Sequence, residues 1–81
     1  MFKVNVARQA DALLGELEAR GLVVKLERFD EKLGARHWHL GYPKRPGTLE
    51  VTDFGDVCEL RVASRRDGGW AEALANELAS S

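Results

Sequence analysis

From residue 22 to residue 64 apolar and polar side chains alternate with a period of two, as in half-buried strands. Four runs are separated by turn residues. The first, 22–29, sets Leu22, Val24 and Leu26 on one face and Val23, Lys25, Glu27 and Phe29 on the other. Residues 30–34 form a turn that ends on Gly34, which is free to take a positive φ. The remaining runs cover 35–42, 48–53 and 57–64. Their inward residues are Trp38 and Leu40, then Leu49 and Val51, then Cys58, Leu60 and Val62.

Helical spacing flanks this region. Val6, Ala10, Leu13, Leu14 and Leu17 recur at the period of an amphipathic helix over 6–20, with Asn5 as its N-cap and Gly21 as its C-terminal stop. Gly15 lies inside this helix, where it costs about 1 kcal/mol against Ala; its small size suggests the close approach of another backbone. Phe2, Val4 and Val6 also alternate, so a short leading strand competes with the helix start. Trp70, Ala71, Leu74, Ala75 and Leu78 give the apolar face of a closing helix over 70–79, with Asp67 or Gly69 as its cap. The expected fold is α+β in the order α-β-β-β-β-α. It is a four-stranded antiparallel meander with two helices packed on one face, in a single domain over 1–81.

Register follows from face matching. Opposing Leu40 to Leu49 also opposes Trp38 to Val51, His39 to Glu50 and His37 to Thr52. Between the third and fourth runs, Glu50 falls opposite either Glu59 or Arg61, and charge favours Arg61. Glu50 is thus expected between His39 and Arg61. The outer face is expected to carry Lys25, Glu27, His37, His39, Glu50, Thr52, Glu59 and Arg61 as a solvated, charge-alternating surface.

Composition narrows the setting. The 81 residues carry a formal net charge of −1, with 44% hydrophobic and 31% charged residues. That balance lacks the basic excess of a dedicated nucleic-acid binder. The lone cysteine, Cys58, permits no disulfide framework within the chain. No apolar run reads as a signal peptide or a membrane span. The expected location is cytoplasmic, with no membrane partner.

Three groups of residues invite chemistry. His37 and His39, at i and i+2 on one strand face with Glu50 opposite, are permissive for a facial zinc or nickel site, although no metal or other cofactor is expected. The same histidines, with Glu50 and Arg61, are the catalytic candidates for acid–base work of the RNase kind; the competing reading is a pair of surface histidines hydrogen-bonded to Glu27 and Glu50. Lys44 and Arg45 project from a turn stiffened by Pro43 and Pro46, and Arg65 and Arg66 precede the last helix. These four are the candidate binding residues for nucleic acid or phosphate, weighed against a solvated hairpin tip and a structural helix cap.

The expected function is a non-enzymatic cytoplasmic binding or interaction module. Its partner is an unspecified protein or a second copy in a homodimer, with Val23 and Phe29 on the first run as the exposed apolar groups. A nucleic-acid or phosphate-contacting domain is the alternative. RNase-like or metal-dependent activity at the His pair is the third reading.

Overall fold

The computed structural model describes residues 2–63 and 69–80. Elements run β1 (Phe2–Val6), α1 (Ala10–Ala19), β2 (Val23–Asp30), β3 (Ala35–Gly41), β4 (Leu49–Asp53), β5 (Cys58–Val62) and α2 (Trp70–Ser80). The strands form one antiparallel sheet ordered β1-β5-β4-β3-β2. The α+β class and the meander from β2 to β5 are as expected, but among the described residues the sheet has five strands. The alternation of Phe2, Val4 and Val6 prevails over helical spacing, because pairing with Val62, Leu60 and Cys58 buries those side chains against the core. Asn5 therefore pairs with Glu59 and caps nothing; α1 starts four residues later than expected, behind Gln9.

Gly21 stops α1 as the spacing implied. Its φ of 99° lets the Gly21 amide donate to the Glu18 carbonyl and the Leu22 amide to the Leu17 carbonyl, the paired bonds of a Schellman turn. That turn drops Leu22 into the core beside Leu17. A Cβ added at Gly15 would meet nothing within 4 Å, so no backbone among the described residues makes the close approach its small size suggested.

One core joins both helices to one face of the sheet. Leu13 and Leu17 of α1 and Trp70, Leu74 and Leu78 of α2 cluster with Val6, Trp38, Leu40, Leu49, Val51, Leu60 and Val62. Trp70 donates its indole N–H to the Pro46 carbonyl at 2.8 Å and packs edge-on to Tyr42, which ties α2 to the β3–β4 turn. Cys58 is buried and unpaired, and burial pushes its thiol pKa upward. No helix among the described residues is long and apolar enough to cross a membrane.

β2 departs from simple alternation. Val24 opposes Leu40, but Leu26 opposes His39, so the register slips by one residue through a β-bulge at Lys25. Beyond the bulge every side chain changes face. Leu26 joins His39 on the outer face, while Glu27 moves beside Trp38 and pairs with Arg36 at 2.9 Å. The expected positions of Leu26, Glu27 and Phe29 are thereby reversed. β2 is the free edge opposite β1, and Val23, Val24, Leu26 and Phe29 are all exposed on it.

Candidate metal centre

The outer face is built in rows across the strands. One row runs Leu26, His39, Glu50, Arg61, Lys3; the next runs Arg28, His37, Thr52, Glu59, Asn5. Glu50 therefore lies between His39 and Arg61, and His37 lies opposite Thr52, as face matching required. Two residues of the expected solvated face are not solvated. His37 is 5% and Thr52 2% exposed, although the helices lie on the other side of the sheet. Their cover is the polar layer itself. The His39 ring stands edge-on to His37, with centroids 4.9 Å apart, and the Glu50 carboxylate closes the other side.

A buried imidazole must satisfy both ring nitrogens. His37 does so with Nδ1 2.8 Å from the Thr52 hydroxyl and Nε2 3.0 Å from His39 Nε2. The same Nε2 lies 3.3 Å from Glu50 Oε1, and His39 Nε2 lies 3.7 Å from that oxygen. Two ring nitrogens and one carboxylate oxygen thus converge on a single locus, and all three residues offer ligand atoms within 4.8 Å of one another. Glu27, the other carboxylate expected near the histidines, is on the opposite face with Arg36.

Two imidazole nitrogens 3.0 Å apart cannot both present lone pairs to each other without repulsion. A proton between them removes it: when Thr52 accepts the His37 Nδ1–H, His37 Nε2 accepts from His39 Nε2–H. A cation at the same locus would remove it as well. Burial holds the His39 pKa below its usual value, with further lowering by His37 and Arg28 and an opposing pull from Glu50. That shift favours the neutral imidazole, the form that ligates metal.

The distances suit a transition metal. Ligand atoms about 2.0–2.1 Å from a tetrahedral zinc ion lie about 3.3–3.4 Å from one another. The three edges here are 3.0, 3.3 and 3.7 Å. The Thr52 contact supplies the outer partner that fixes which nitrogen of a ligating histidine faces the ion. Sequence spacing identified His37, His39 and Glu50 but not the part played by Thr52, which only the cross-strand register places beside Nδ1.

The acid–base arrangement fits less well. In-line phosphoryl transfer is served by groups on opposite sides of the phosphorus, and Nε2 atoms 3.0 Å apart leave no room for a phosphate between them. Arg61 extends the row beyond Glu50 and is exposed. Among the basic-loop candidates, Lys44 is exposed, and the Arg45 guanidinium lies 5.0 Å over the Tyr42 ring. Arg65, Arg66 and the cap candidate Asp67 lie outside the described residues. No protein-family model, curated protein or solved structure matches the chain.

Proposed function

We propose that this domain is a non-enzymatic binding module that holds a divalent transition metal, zinc above all, through His37 Nε2, His39 Nε2 and Glu50. The observation that carries this reading is the triangle of donor atoms with edges of 3.0, 3.3 and 3.7 Å, backed by Thr52 on His37 Nδ1. Nitrogen and carboxylate donors suit zinc, whereas magnesium and calcium favour all-oxygen sites. The three donors stand on the sheet face opposite the helical core, and none of them is paired with a nucleophilic serine or cysteine among the described residues, which supports binding rather than turnover. This reading replaces the expectation that no metal is used. Titration calorimetry with zinc tests it. The wild type should bind one ion per chain, and His37→Ala, His39→Ala and Glu50→Gln should each lose more than about 100-fold in affinity, beyond the effect of losing an outer partner. Wild-type protein that binds no zinc, or variants that bind it equally well, would overturn it.

A second reading, self-association, is favoured by one observation. The edge strand β2 runs eight residues with Val23, Val24, Leu26 and Phe29 exposed, and among the described residues no strand lies beside its outer backbone groups. A second copy of the chain docked there would cover these groups and extend the sheet. Sedimentation should then show a dimer that Phe29→Lys dissociates; a monomer at high protein concentration ends this reading.

A further inference from the structure

We infer that the metal centre keeps a coordination position open to solvent and that this position takes an oxyanion, a carboxylate or phosphate group on a small ligand. The inference rests on the metal reading above and adds the class of ligand that the site accepts. Three protein donors leave a tetrahedral ion one position short. All three come from β3 and β4, so the fourth position points away from the sheet, where no described element covers it.

The surroundings of that position are cationic. Arg28 opposes His37 on the β2 side, and Arg61 opposes Glu50 on the β5 side. Lys3 continues the row past Arg61, and Lys25 lies at the bulge with its ammonium against Gly41. Arg28 and Arg61 are exposed, and neither is in an ion pair among the described residues. Arg28 and Arg61 thus stand in register on either side of the ligand set, and guanidinium geometry matches carboxylate and phosphate oxygens. The acidic groups that register puts on this face are Glu50, which the ion engages, Glu59 in the neighbouring row, and Asp30 at the end of β2, whose carboxylate accepts from the Lys32 and Leu33 amides. The bound ion adds two positive charges. An anion arriving at the open position therefore meets the ion with an arginine in register on either side of it.

Cobalt(II) substitution reads this directly, because its visible absorption reports coordination number and ligand change. The 81-residue chain loaded with cobalt is titrated with acetate, with methylphosphonate and with acetamide as an uncharged control. Both anions should change the spectrum saturably, acetamide should not, and the stronger of the two anions identifies the preferred group. Arg28→Ala/Arg61→Ala should weaken anion binding by about tenfold or more while cobalt binding is retained, since both side chains are exposed and neither ligates. A cobalt spectrum that ignores both anions, or a double variant that binds them as well as the wild type, would overturn the inference. Failure to bind cobalt at all would overturn it together with the metal reading, and the two failures are distinguished by the presence or absence of the cobalt spectrum itself.

Discussion

Thr52 is buried on a sheet face that alternation marks as wet, and its hydroxyl lies 2.8 Å from His37 Nδ1. Removing that hydroxyl leaves the ring nitrogen without a partner and frees the ring to turn its ligating edge away. Thr52→Val should weaken zinc binding about 10–100-fold, and Thr52→Ser should restore most of it; competition titration against a chromophoric chelator measures both. A loss with Val that Ser does not recover would assign Thr52 to packing alone. His39 makes a separate prediction in the metal-free protein. Its pKa is lowered, chiefly by burial, from an ordinary 6.5. The unfolded chain therefore takes up this proton at higher pH than the folded one, so His39's contribution to stability is whole above pH 6.5 and is lost as pH falls toward the folded value. An NMR titration of the imidazole should show a midpoint below 6.5, and a midpoint above it would mean that Glu50 outweighs burial. The spacing of His37, His39 and Glu50 was legible in the sequence because strand period and face matching need no side-chain detail. That His37 is buried was not, since the contacts around its ring come from the side chains of Thr52, His39 and Glu50 beside it, which alternation alone does not orient.

Among the elements, the strands were easier to read than the joints between them. Trp38, Leu40, Leu49 and Val51 pair as alternation requires, because β3 and β4 are central and a slip of one residue would expose their whole apolar set. β2 escapes that constraint. It is an edge strand with one neighbour, and the bulge at Lys25 reverses Leu26, Glu27 and Phe29 at little cost in buried area. The start of α1 is ambiguous in the sequence for a related reason. Val6 fits both a helical and a strand pattern, and only the free edge of β5, a long-range partner, decides between them. Gly15 gives the element-scale prediction. An added Cβ there would meet nothing within 4 Å, and the helix backbone at this position suits any residue. Gly15→Ala should stabilise the protein by about 0.5–1 kcal/mol, seen as a higher urea midpoint with an unchanged slope. A loss of stability would show that the helix surface at Gly15 is covered in solution.

In the whole molecule, the two faces of the sheet divide the work. The helices cover one face and form a core that includes Trp38, Leu60 and Leu74, which holds β3 and β4 in fixed register. That register places two imidazoles and a carboxylate on the other face at ligand distances. The arrangement is therefore rigid before any ion arrives, and little ordering should be needed to bind one. Alternation and helical spacing sufficed for the α+β class and for the core, because both report burial against one interior. They could not report which surface residues converge, since convergence depends on side-chain direction above the sheet. The most direct measurement is a long-range 1H–15N spectrum of the histidine rings during addition of zinc. The account predicts that Nε2 of both His37 and His39 moves to the metal-bound range at one equivalent, with His37 Nδ1 still protonated toward Thr52. Ring nitrogens that stay unchanged at one equivalent of zinc, or that bind it through Nδ1, would contradict it.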